Sequence, residues 1–144
     1  MIYLAADHRG FQLKEKIKDW LSDWGFQYED MGAFTYDEND DYPDFIHKAA
    51  KKVSQDPDNS KAIILGGSGQ GEAMVANRYK GVRAAVYYSD SEEMIKMARE
   101  HNNANILSLG ASFISDEAAK KAIRLWLEKP FSGEERHKRR IEKI

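Results

Sequence analysis

The 144-residue sequence predicts a three-layer α/β/α sandwich around a five-stranded parallel, Rossmann-like sheet, in one domain spanning 1–144. Three observations carry this reading. Short apolar runs alternate with amphipathic stretches along the whole chain, and strands separated by helices pair in parallel under a helical cover on each face. The clearest apolar run, Ala62-Ile63-Ile64-Leu65, opens directly into a glycine-rich turn. The composition is that of a folded domain, with 42% hydrophobic and 32% charged residues and no internal repeat or low-complexity segment.

The elements follow in order. Ile2 to Ala6 reads as a buried strand. Phe11, Leu13, Ile17, Trp20, Leu21 and Trp24 recur at helical spacing, so Gly10 to Trp24 reads as a helix with a polar outer face, ended by Gly25. Phe26 to Met31 reads as an edge strand. Gly32 to Tyr42 reads as an acidic, solvated loop. Pro43 suits the first turn of a helix whose inner positions are Phe45, Ile46, Ala49, Ala50 and Val53. After the central strand, Glu72 to Arg78 reads as a short helix and Val82 to Tyr88 as a strand. Ser91 to Glu100 reads as a helix with Met94, Ile95 and Ala98 inward, and Ile106 to Leu109 as the last strand. Ser115 starts a further helix that Pro130 stops, and Ser132 to Ile144 is a charged final helix.

Composition excludes several classes. The net charge of −2 argues against a dedicated nucleic-acid binder. No apolar stretch approaches the ~18 residues of a spanning helix. Met1 to Asp7 has no basic region and too short an apolar run for a signal peptide, so a cytoplasmic protein is expected. The absence of cysteine removes disulfides, thiolate catalysis and cysteine-bound metals. No spaced set of metal ligands stands out: Asp37 to Asp41 fails as a calcium loop because Tyr42 and Lys48 replace its glycine and closing glutamate.

In a parallel sheet, ligands bind outside the carboxyl ends of the strands. The loops there are Asp7-His8-Arg9-Gly10, Gly66 to Gly71, Ser89-Asp90 and Gly110-Ala111-Ser112. Four glycines in Gly66-Gly67-Ser68-Gly69-Gln70-Gly71 exceed what a tight turn needs, and such a loop turns backbone N–H groups toward an anion. It is neither a P-loop, nor a dinucleotide fingerprint, nor a nucleophile elbow. Glu72 follows it, and two readings stand. It is an exposed carboxylate steadied by the helix dipole, or it is a base placed beside an oxyanion-binding loop. Asp7-His8 at a strand end marks a functional pair, while His101-Asn102-Asn103-Ala104-Asn105 reads equally as a helix C-cap or a site. Arg136 and Arg140, four apart, share one helical face and suit a phosphate monoester.

Taken together the motifs resemble the ribose-5-phosphate isomerase B family, which includes the galactose-6-phosphate isomerase subunits. The resemblance covers essentially the whole chain. It rests on Ala6 to Gly10, Asp41-Tyr42-Pro43, Gly66 to Glu72, Ala76-Asn77-Arg78, Gly81-Val82-Arg83-Ala84, Arg99 to Asn105, and Arg136 to Ile141. It implies interconversion of ribose 5-phosphate and ribulose 5-phosphate through an enediolate, without metal or cofactor. Gly66 stands where many members carry a cysteine base. Glu72 matches the glutamate of a branch that lacks this cysteine, which makes Glu72 the expected base. The resemblance further implies that Gly67, Gly69 and Gly71 form the anion hole and Ser68 relays a proton. His101 with Asp7 would open the sugar ring, Asn102 would bind a sugar oxygen, Tyr42 would line the pocket, and His8, Arg136 and Arg140 would bind phosphate. It also implies a homodimer, with possible further pairing to a tetramer, whose active site lies at the subunit interface, with 132–144 reaching the partner; neither nucleic acid nor membrane is an expected partner. One departure stands out: Ser112 replaces an arginine that commonly contacts the phosphate, and Arg9 is a candidate to compensate. The alternatives are a six-carbon substrate, such as allose or galactose 6-phosphate, and a non-catalytic phosphosugar-binding domain.

Overall fold

The structure, a computed structural model, describes residues 1–89 and 91–144; Asp90, one of the expected loop positions, lies outside the described residues. The chain folds as β1 (Ile2–Ala6), α1 (His8–Asp23), β2 (Tyr28–Asp30), α2 (Tyr42–Gln55), β3 (Lys61–Gly66), α3 (Gln70–Ala76), β4 (Ala84–Tyr87), α4 (Glu92–Glu100), β5 (Ile106–Gly110), α5 (Asp116–Glu128) and α6 (Glu135–Ile141). All strand pairs are parallel, in the order β2-β1-β3-β5-β4. The expected five-stranded sandwich is therefore the observed one.

Alternation along the strands splits the core into two layers. Leu4 and Ala6, Ile63 and Leu65, and Leu107 and Leu109 point to one face. There they pack on Leu13, Ile17 and Leu21 of α1, Ile95 of α4, and Ala119, Ile123 and Trp126 of α5. Ala5, Ala62, Ile64 and Ile106 point to the other face, against Ile46, Ala49, Ala50 and Val53 of α2 and Ala76 of α3. The central strands β1, β3 and β5 are buried on both sides, which is why they read as unbroken apolar runs.

Some expectations need correction. Helix α1 begins at His8, not Gly10, because the Asp7 carboxylate caps it by accepting from the N–H groups of Arg9 and Gly10 at 2.9 and 3.3 Å. Its outer face is not wholly solvated. Lys14 is fully buried, with Nζ 2.6 Å from Asp30 Oδ2 on β2 and above the Phe11 ring. In α4 the inward residues are Ile95 and Arg99, while Met94 is exposed. Arg99 replaces an apolar side chain because three oxygens face it: it donates to the carbonyls of Lys129 and Ala104 and to Asn103 Oδ1. The final segment begins its helix only at Glu135.

Candidate active site

With β2 on one side of β1 and β3 on the other, successive connections diverge between β1 and β3, and a crevice opens at their carboxyl ends. The loops after these two strands meet there. Asp7, His8, Arg9, Tyr42, Gly67, Ser68, Gly71, Glu72, Ser112 and Phe113 line a cavity of about 410 Å³.

The glycine loop is held from below. The Ala111 and Ser112 N–H groups donate to the carbonyls of Gly66 and Gly67 at 2.9 and 3.0 Å. Ser108, fully buried in β5, donates its hydroxyl to the Gly69 carbonyl at 2.7 Å. Gly69 sits at φ +75° and precedes α3, a conformation that favours glycine. The carbonyls of the loop are thus turned into the fold. Among the described residues, the N–H groups of Gly67, Ser68 and Gly69 donate to no protein acceptor. That arrangement can hold an oxyanion.

Glu72 is 4% exposed, so of its two readings the exposed dipole-steadied carboxylate is the one the structure overturns. Its carboxyl group fills the space that a side chain at position 66 would need: a Cβ built on Gly66 would meet Glu72 Oε1 at 1.6 Å. Glycine at 66 is therefore required by the carboxylate next to it. Burial pushes the Glu72 pKa above its ordinary value. Its own backbone N–H opposes the shift, and the negative charge of Asp7 adds to it. Tyr42 enters from the first turn of α2 and lies against Gly71, where an added Cβ would fall 2.6 Å from the phenol oxygen. Arg9 lies over Gly67: a Cβ there would sit 3.0 Å from Arg9 Cδ and 3.5 Å from Ser112 Oγ.

His8 carries a partner that sequence reasoning assigned to a solvated loop. Asp40 Oδ1 accepts from the His8 backbone N–H at 3.0 Å and lies 2.6 Å from His8 Nδ1. Asp7, His8 and Asp40 each bring a potential metal-ligand atom within 4.8 Å of the others. The 2.6 Å contact is a hydrogen-bond distance, and Asp7 caps α1 through Oδ1 alone, with Oδ2 4.0 Å from His8 Nδ1. Ser108 was also missed, although a serine inside the apolar run Ile106-Leu107-Ser108-Leu109 was its one visible signal.

The expected site residues fall into two groups. Asp7, His8, Tyr42, Gly67, Ser68, Gly71 and Glu72 share the cavity, with Gly69 in the loop behind it. His101, Asn102, Arg136 and Arg140 do not. His101 caps the end of α4, before β5 begins, so its group lies at the opposite end of the sheet. The length of β5 separates the two ends, ~13 Å at a strand's rise per residue. The His101 ring stacks on that of His137 at 4.4 Å and 15°, which fixes α6 against α4, while Arg136 and Arg140 stand exposed.

A parallel α/β sandwich with a buried carboxylate beside a loop of unpaired N–H groups at its switch point is the layout of a small-molecule enzyme. Comparison with known proteins specifies which. The chain belongs to the Ribose/Galactose Isomerase family, whose pattern it matches over residues 2–144. It is 43% identical over 141 residues to ribose-5-phosphate isomerase B of Mycolicibacterium paratuberculosis, covering 98% of this chain and 87% of that one. A probable ribose-5-phosphate isomerase B of Mycoplasma genitalium is 41% identical, with 99% and 92% covered. The crystal structure of the Mycoplasma genitalium ribose-5-phosphate isomerase B with bound ribulose-5-phosphate superposes with a TM-score of 0.95 at 41% identity, covering 99% of this chain and 92% of that one. The Thermotoga maritima ribose 5-phosphate isomerase gives 0.90, also at 41% identity, with 99% and 94% covered. The chain is an aldose–ketose isomerase.

Proposed function

We propose that this enzyme interconverts ribose 5-phosphate and ribulose 5-phosphate by metal-free proton transfer, with Glu72 as the base. The observation that carries the reading is the Glu72 carboxyl group, buried in the space vacated by Gly66 and next to the unpaired N–H groups of Gly67, Ser68 and Gly69. The relative that binds ribulose-5-phosphate supports the five-carbon substrate.

In the open-chain aldose, the Glu72 carboxylate removes the proton from C2. The C–H electrons form the C1–C2 double bond, and the C1 carbonyl oxygen becomes the enediolate oxygen. The loop N–H groups hold that charge. Ser68 passes the proton of the C2 hydroxyl to O1, and protonated Glu72 returns its proton to C1, which leaves the ketose. Desolvation suits Glu72 to both halves, because a carboxyl group raised above its ordinary pKa takes a proton more readily and still releases it. Asp7 and His101 open the sugar ring, Asn102 binds a sugar oxygen and Tyr42 walls the cavity.

The phosphate lies toward His8, and Arg9 supplies the fixed cation beside Ser112. Arg136 and Arg140 add charge from a second subunit. Within one chain these arginines and His101 lie at the far end of the sheet from Glu72, so a site using all of them needs two copies. We therefore read the active form as a homodimer in the cytoplasm, with 132–144 serving the partner's site.

The test is ketose formation from ribose 5-phosphate in excess chelator, by the wild type and by Glu72→Gln, with allose and galactose 6-phosphates in parallel. The proposal expects chelator-insensitive turnover of the pentose, a loss of at least ~100-fold in the variant, and slower hexoses. Turnover that the variant keeps would move the base elsewhere, and faster hexose turnover would change the substrate.

A further inference from the structure

We propose that Asp40 is a positioning residue that locks His8 as an imidazolium, so that Nε2–H faces the substrate phosphate. This rests on the reading of His8 as a phosphate ligand given above.

The geometry comes from two elements. Asp40 is the last residue of the β2–α2 loop before the cap of α2, and a turn sets its position: the Asp40 N–H donates to the Asp37 carbonyl at 3.1 Å and the Asn39 N–H to Asp37 Oδ1 at 3.0 Å. From there its Oδ1 engages both the backbone N–H and the Nδ1 of His8, at 3.0 and 2.6 Å. Nδ1 is thereby committed as a donor, and the only ring nitrogen left to meet a ligand is Nε2. On a neutral ring this Nε2 would be an acceptor and would repel phosphate oxygens; on the imidazolium it donates. Tyr36 stands edge-on to the ring at 6.3 Å.

Burial decides the protonation state. The Asp40 side chain is only 8% exposed, and its Oδ2 is buried with no hydrogen-bond partner. An ionised carboxylate in that setting needs a compensating charge close by. His8 is the group in contact. Held 2.6 Å from Oδ1, the imidazole supplies that charge as the imidazolium. The groups around the ring are Asp40, Tyr36 and Glu38 from the β2–α2 loop, Asp7 at the cap of α1, Arg9 on α1, and Glu72 from α3. Asp40 and Asp7 raise the His8 pKa, with the Asp40 hydrogen bond the largest cause; slight burial and Arg9 oppose them.

The experiment combines a direct titration with kinetics. Imidazole NMR follows His8 in the wild type, in Asp40→Asn and in Asp40→Ala, with His8→Gln identifying the signal. KM for ribose 5-phosphate is measured across pH in the same proteins. A wild-type His8 midpoint above 6.5 that falls on removing the Asp40 carboxylate is expected. So is a KM that rises about 10-fold for the variants near pH 8 and converges with the wild type near pH 5.5, while kcat changes little. A wild-type midpoint at or below the ordinary histidine value overturns the proposal without any variant. A His8 midpoint and KM profile that Asp40→Asn leaves unmoved also overturn it. If His8→Gln leaves KM unchanged at every pH, the failure lies with the phosphate role of His8. If His8→Gln raises KM and Asp40→Asn does not, it lies with Asp40.

Discussion

Under the proposed mechanism, Glu72 joins stability and function in one side chain. Its folded-state pKa is raised, so the neutral acid is the form the fold favours. The sign follows: relative stability from this group is complete below the unfolded carboxyl pKa and is lost as pH rises through the folded value. Glu72→Gln should therefore melt above the wild type at pH 8, with the difference closing toward pH 4; calorimetry at both values checks it. The acid limb of kcat/KM should lie above the ordinary carboxylate range for the same reason. Gly66→Ala supplies an independent test, because the new Cβ must displace the carboxyl that now lies 1.6 Å from it. The variant should fold, since Gly66 is not among the residues at positive φ, and should lose at least ~100-fold in kcat. At this scale the sequence was legible in part. The spacing of Glu72 from the glycine loop pointed to a base, but sequence physics left an exposed dipole-steadied carboxylate equally open. Only the packing of Glu72 onto Gly66 removes the exposed reading. Asp40 was not legible at all, because nothing local in an acidic loop marks the one carboxylate that turns inward.

The elements matter through what they hold still. Ser108 on β5 steadies the Gly69 carbonyl, and with it the orientation of the glycine loop. Ser108→Ala should cost ~1 kcal/mol of stability and a larger share of activity, with kcat reduced about 10-fold because the loop N–H groups lose their alignment. Arg99 works at the other end of the sheet. It ties α4 to the α5 terminus and to the His101–Asn105 turn through three hydrogen bonds, and Arg99→Met should destabilise by ~2–4 kcal/mol in denaturant melts. The alternation of strands and helices was readable throughout, because buried parallel strands leave unbroken apolar runs. Element ends were less so. The start of α1 depends on a side-chain cap by Asp7, and that of α3 on a left-handed glycine, neither of which hydrophobic spacing reports. Lys14 and Met94 inverted their expected faces for tertiary reasons: Asp30 of β2 waits inside for the lysine, and Arg99 takes the inward position on α4.

At the scale of the whole molecule, one chain holds the Glu72 group and the His101 group at opposite ends of its sheet. If a partner's His101 group completes each Glu72 group, two inactive variants should rescue one another. Mixing Glu72→Gln with His101→Asn under conditions that exchange subunits should restore ~25% of wild-type activity, since half the dimers are mixed and each of those holds one intact site. Titrating one variant against the other and following ketose formation checks this; no recovery would remove the partner's His101 group from the Glu72 site. The motif set made the family legible over the full chain. The separation of its parts was not, because residues close in the sequence order of motifs can lie at either end of a strand.

The central claim is that the hydrogen leaves C2 as a proton and that Glu72 carries it. Isomerisation of ribose 5-phosphate in D2O, with the ketose examined by NMR, tests this most directly. Deuterium is expected at C1 of the ribulose 5-phosphate formed by the wild type, with neither exchange nor turnover above ~1% in Glu72→Gln. Ketose formed at full rate with only the original hydrogen at C1, or exchange that persists in Glu72→Gln, would contradict it.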